Sequence, residues 1–133
     1  MNAVDTNILI YSNDSRESVK RPKAINLLAG LSECALLWQV ACKYVAASCK
    51  LEKFGFTQKD AFADVALLLK IWKPILPTWQ VFKRAENLME NNYVSYWDSL
   101  IIAACLENGV TKFYTEDIAD IFRKDGLEII NPF

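Results

Sequence analysis

The sequence predicts an α/β fold built on a parallel sheet, and two observations carry that reading. Short apolar runs alternate with helix-length amphipathic segments along the whole chain, the pattern of strands joined by helical crossovers. Helix-start signals recur between those runs: "TQKD" at 57–60, Thr78 ahead of "WQVFKRAENLMENN" and Ser95 ahead of "YWDSLIIAACLENG". Each places a hydroxyl where it can accept a free amide hydrogen of the first turn. Helices on both faces of the sheet follow from that alternation. The 133 residues suit a single domain, 1–133, with one core.

Taken in order, "NAV" is a short strand ending at Asp5, and "TNILIYS" continues as a helical turn or two. Residues 17–30 read as a helix stopped by Gly30 in a C′ position. "ALLW" (35–38) is a buried strand, and 39–53 a helix ending before Gly55. "TQKD" opens a helix running to about Ile71. "KPILP" is a strand between prolines. The Thr78 and Ser95 helices follow, the second closing at Gly109. "KFYT" is a strand, "EDIAD" a turn, and "GLEII" the last strand.

Composition bounds the function. The chain is 53% hydrophobic with only four glycines and four prolines, which excludes a disordered chain. The formal net charge is −1 and the pI about 5.5, so bulk electrostatics supply no attraction to nucleic acid. A nucleic-acid ligand would need a local basic patch or metal ions. There is no histidine, which removes histidine general bases, triads and metal ligands. The four cysteines contain no CxxC pair and read as buried free thiols. No apolar run reaches the roughly 18 residues of a membrane span, and "MNAVDTN" lacks the features of a secretory signal. The cytoplasm is the expected location.

In a parallel α/β sheet, ligands gather beyond the carboxyl ends of the strands. Asp5 follows the first strand directly, with Thr6 and Asn7 beside it. Glu116 and Asp117 follow "KFYT", and Asp98 lies in the first turn of the Ser95 helix. Carboxylates converging in one cleft repel one another unless a cation neutralises them. Hard oxygen ligands suit Mg²⁺ or Mn²⁺, ions able to flank a phosphodiester under cleavage. Plainer readings stand beside this one. Asp98, three residues after Ser95, closes a capping box; Asp117 caps a short "IADIFRK" helix; Asp5 belongs to a turn.

"VDTNILIY", "YWDSLIIAACLENG" and "FYTEDIADIFRKDGLEIINPF", in that order, resemble PIN-domain proteins, above all the VapC-type toxin ribonucleases of toxin–antitoxin pairs. The resemblance spans essentially the whole chain. It implies a three-layer α/β/α sandwich with a central parallel sheet. It also implies Mg²⁺- or Mn²⁺-dependent hydrolysis of RNA, inhibition by a small antitoxin protein, and a homodimer. Carried over by position, it makes Asp5, Asp98 and Asp117 the catalytic, metal-binding carboxylates. Thr6, Asn7, Thr115 and Glu116 are then supporting residues, Thr115 orienting a carboxylate.

One member of the pattern is missing. The family carries a glutamate on the helix after the second strand, in a form like "QVxxEF". Here the stretch is "QVACKY", so that position falls on Lys43. Val40, Tyr44, Ala47 and Leu51 make the apolar stripe of this helix, and Lys43 sits about 60° from Val40 at roughly 100° per residue. Glu33 precedes the strand, and Glu52 is about 13 Å further along a helix axis. Lys43 either snorkels to water or stands among the aspartates in place of the cation. The chain is thus expected to be a ribonuclease impaired at Lys43. The alternative is a catalytically inactive PIN-fold binding module for RNA or an antitoxin. A third class, a phosphate-binding or small-molecule α/β domain, lacks its signature: no GxGxxG or Walker-type loop occurs.

Three basic clusters are candidates for phosphate contact: Lys20, Arg21 and Lys23; Lys50 and Lys53; Lys83 and Arg84. Each also reads as a solvated helix face. Trp38, Trp72, Trp79 and Trp97 are expected in the core or a dimer surface rather than stacked on bases. An apolar face on "DAFADVALLLKIW" fits either the core or a dimer contact.

Overall fold

The computed structural model describes all residues, 1–133. Five parallel strands form one sheet in the order β3-β2-β1-β4-β5: β1 (Asn2–Val4), β2 (Cys34–Leu37), β3 (Lys73–Ile75), β4 (Lys112–Tyr114) and β5 (Glu128–Ile130). Six helices connect them: α1 (Thr6–Asn13), α2 (Lys20–Gly30), α3 (Trp38–Ser48), α4 (Gln58–Ile71), α5 (Trp79–Asn91) and α6 (Tyr96–Glu107). The α/β class and the parallel sheet expected from the alternation are both present.

The strand order reverses at β1. The chain proceeds outward from β1 to β2 and β3, then returns to lay β4 on the other side of β1. Adjacent strand ends whose connections depart in opposite directions leave a crevice at the carboxyl edge. Asp5 and Thr115, the residues just past β1 and β4, are at that crevice, and the Asp5 amide donates to the Tyr114 carbonyl at 2.9 Å.

The core is built by the apolar identities of the strands. Every residue of β2 is buried, as central strands of such sheets require. Phe113, Ile8, Ile102, Val40 and Tyr44 are almost wholly enclosed. Pro74 is tolerated because β3 is an edge strand with no partner beyond it. Tyr44 ties three helices together: its hydroxyl donates to Asp64 Oδ2 at 2.6 Å and accepts from Asn13 Nδ2 at 2.8 Å.

Caps fall where the sequence places them. Thr57 and Asp60 exchange both bonds of a capping box at the start of α4. Thr78 and Ser95 accept from the amides of Val81 and Asp98. Some local expectations need correction. Gly30 is the last residue of α2, not a left-handed stop; positive φ occurs nearby at Glu33 (48°). Trp38 begins α3 instead of ending β2, which turns its ring outward. The "IADIFRK" stretch is irregular apart from a single 3-10 turn, Arg123–Asp125, so Asp117 caps no helix. Cys34 and Cys105 are buried, but Cys42 and Cys49 are exposed. Burial pushes the Cys34 thiol up to about 11, which leaves it inert. No helix is long and apolar enough to cross a membrane.

Candidate active site

The Asp5 carboxylate is held by two neighbours that its position after β1 makes available. As N-cap of α1, its Oδ1 accepts the Thr6 amide at 2.7 Å, where a helix N-terminus favours negative charge. Its Oδ2 accepts the Thr115 hydroxyl at 2.7 Å. Thr115 is fully buried and its oxygen is saturated. It gives one bond to Asp5 and accepts two, from the Asp117 amide at 3.1 Å and Asn7 Nδ2 at 3.3 Å. Asn7 Nδ2 also donates to Asp117 Oδ2 at 2.9 Å. Asp5, Asn7, Thr115 and Asp117 therefore form one hydrogen-bonded unit joining the ends of β1 and β4. Thr6 supports it from α1, its hydroxyl lying 3.5 Å from the Val40 carbonyl of α3.

Burial raises the Asp5 carboxyl above its ordinary range. The Thr115 hydroxyl, the Thr6 amide and the positive charge of Lys43 pull it back, while the charge of Asp117 pushes it further up. Lys43 is thus close enough to act on Asp5 through space. Its side chain is nonetheless exposed and enters no ion pair. It does not bond to the aspartates as a built-in cation would.

Asp98 lies in the first turn of α6. That turn meets the start of α3, where Gln39 Nε2 donates to the Trp97 carbonyl at 3.0 Å. The Asp98 amide donates to Ser95 Oγ, but the carboxylate does not return a bond to Ser95. The capping box is only half made, and the carboxylate is left without a hydrogen-bond partner. Glu116 takes a different course from Asp117. It accepts from the Tyr11 hydroxyl and pairs with Lys20 at 2.9 Å. Burial would raise its carboxyl, but those two partners hold it below the usual value. Glu116 clamps the start of α2 to the β4 end and is spent in doing so.

A divalent ion requires several hard oxygen donors around one point. No group of three or more Asp, Glu, His or Cys side chains is arranged to hold one. Both Asp5 oxygens already accept short hydrogen bonds, and the charge that acts on them from α3 is the positive charge of Lys43. One feature would welcome a positive neighbour: Asn7 Oδ1 is buried with no partner, an unusual state for an amide oxygen. That single atom does not make a site. As they stand, the residues do not fit a bound metal.

The basic clusters divide: Lys50, Lys53 and Lys83 enter no ion pair, while the others are engaged. Lys20 pairs with Glu116 and Arg84 with Glu107, and Lys23 reaches the Phe133 carbonyl. Of the tryptophans only Trp72 is in the core, while Trp38, Trp79 and Trp97 are exposed on the surface of the single chain. No local signal in the sequence distinguishes these faces, because indole is equally apolar in a core and on a surface.

The family model for the PIN domain matches residues 3–126, and the chain belongs to the PIN domain family. Several solved structures share the fold. A toxin–antitoxin complex from Klebsiella pneumoniae is 18% identical with a TM-score of 0.71, over 100% of this chain and 98% of that one. VapC20 of Mycobacterium tuberculosis, described as a sarcin–ricin loop cleaving toxin, is 15% identical with a TM-score of 0.69 over 96% of each chain. VapBC2 of Rickettsia felis, bound to a fragment of promoter DNA, is 16% identical with a TM-score of 0.65, covering 98% and 97%. No curated protein sequence matches the chain.

Proposed function

We propose that this protein is a PIN-type endoribonuclease of the VapC toxin kind whose hydrolysis of RNA phosphodiester bonds is impaired by Lys43. The observation that carries the reading is the unit of Asp5, Asn7, Thr115 and Asp117 at the crevice between β1 and β4. A buried carboxylate with a raised proton affinity, held by a buried threonine, is an expensive arrangement for a turn alone. Family membership and the likeness in fold to toxin structures support the same reading. The catalytic carboxylates are Asp5, Asp98 and Asp117, and the cofactor of an intact site would be Mg²⁺ or Mn²⁺. Partners in this reading are an RNA substrate, a small antitoxin and a second copy of the chain in the cytoplasm. Phe62, Leu69 and Ile71, exposed on α4, support pairing with a second copy.

Lys43 differs from the family's glutamate by two units of charge. Next to Asp5 it opposes the gathering of cations and removes an oxygen donor. A second reading, a non-catalytic module that binds RNA or an antitoxin, is favoured by the lack of any three-carboxylate group. Cleavage of single-stranded RNA in Mn²⁺ by the chain as it stands and by Lys43→Glu separates the two. Cleavage by Lys43→Glu alone supports an impaired nuclease. Cleavage by neither variant removes the nuclease reading and leaves the binding module.

A further inference from the structure

An apolar groove of about 540 Å³ opens between the first turns of α3 and α6 and the end of β3. That volume is in the range of small-ligand sites. Trp38 and Trp97 line it and are 55% and 63% exposed. Lys43 is its one charged lining residue. The walls are held in place: the Gln39–Trp97 bond ties α3 to α6 at 3.0 Å, and Tyr96 packs edge-on against the Trp97 ring with centroids 5.0 Å apart.

The occupant that suits this groove has a flat apolar body and an adjoining negative charge. An indole face accepts any base by stacking, and a lysine without an ion pair is complementary to a phosphate. We propose that the groove is a base-docking subsite for single-stranded RNA, an unstacked base lying against Trp38 and Trp97 with its phosphate on Lys43. The proposal rests on the RNA reading above and deepens it. Lys43, on α3, lines the groove and its charge reaches Asp5, so the groove is on the side of the molecule where the carboxylates stand. The substitution that impairs cleavage is then a phosphate clamp that strengthens retention of RNA. Duplex RNA, whose bases are already stacked, is excluded from the groove.

The test is binding of a short labelled oligouridylate and of an abasic ribose-phosphate oligomer of equal length, by fluorescence anisotropy in EDTA. The proteins are the full chain and its Trp97→Ala, Trp97→Phe and Lys43→Met variants. The full chain is expected to hold the base-bearing oligomer about tenfold tighter than the abasic one. Trp97→Ala is expected to erase that ratio and Trp97→Phe to keep most of it. Lys43→Met is expected to weaken both oligomers and to flatten the log–log salt slope by about 0.7, the release for one single-strand phosphate. Equal affinity for the two oligomers, or a ratio unchanged in Trp97→Ala, overturns the base subsite while leaving RNA binding intact. Failure of the full chain to bind either oligomer overturns the subsite and the RNA reading together. Conversion of a dimeric full chain to a monomer by Trp97→Ala, seen by sedimentation, would assign the groove to a second copy and overturn the proposal as well.

Discussion

The Thr115 hydroxyl donates to Asp5 Oδ2 at 2.7 Å across 110 residues of sequence. This bond joins the first and fourth strands at the crevice edge and fixes the carboxylate on which the functional reading rests. Thr115 also accepts from Asp117 and Asn7, so its single oxygen organises all three polar neighbours. Thr115→Val keeps the shape and deletes the oxygen, leaving buried polar groups unpaired. A loss of about 1–3 kcal/mol in urea unfolding is expected, with Thr115→Ser recovering most of it.

The raised Asp5 carboxyl has a consequence for stability that runs opposite to the usual aspartate. A group whose folded proton affinity exceeds its unfolded one favours folding most strongly below its unfolded pKa, about 3.9. That contribution is lost as pH rises through the higher folded value. At neutral pH the buried charge therefore opposes folding; Asp5→Asn removes that charge together with one of its two hydrogen bonds, so the expected signature is the pH trend of the variant's urea midpoint minus the parent's. That difference should fall as pH falls through the carboxylate range. A midpoint difference that rises on acidification would contradict the assignment.

Asp98 makes the converse case. Its carboxylate accepts no hydrogen bond and completes no capping box, so Asp98→Asn should leave stability within about 0.5 kcal/mol. Placed on a Lys43→Glu background, the same change is expected to abolish RNA cleavage. Melting curves and a gel assay read the two effects separately.

Tyr44 is a purely structural control. Burial, then the Asp64 carboxylate, drives its hydroxyl far above the ordinary range, so it stays protonated and donates. Tyr44→Phe deprives Asp64 of its donor, while Asn13 keeps the Leu9 carbonyl and Ser12 hydroxyl, and should cost about 1–2 kcal/mol of folding stability. RNA binding should be unchanged.

Much of this arrangement is legible in the chain because it is local. Asp5 directly follows an apolar run, and Thr57 and Ser95 announce their helices. The pairing of β4 with β1 is not local, so the Asp5–Thr115 bond is anticipated only through family likeness. The opposite fates of Glu116 and Asp117, neighbours in sequence, depend on Tyr11 and Lys20, which no spacing rule connects to them. The outward rings of Trp38 and Trp97 follow from one residue of helix boundary and from the α3–α6 contact. Apolar composition points instead to the core.

In the proposed reading, Lys43 keeps a divalent cation from the Asp5, Asp98 and Asp117 carboxylates. The most direct measurement is the melting temperature of the chain and of Lys43→Glu over a Mn²⁺ titration, each against an EDTA control. A ligand at a hundred times its Kd stabilises the folded state by about 2.7 kcal/mol, a shift of several degrees for a domain of this size. Such a rise is expected for Lys43→Glu and none for the chain as it stands. An equal, saturable rise in both would contradict it, because the three aspartates would then bind the ion with the lysine in place.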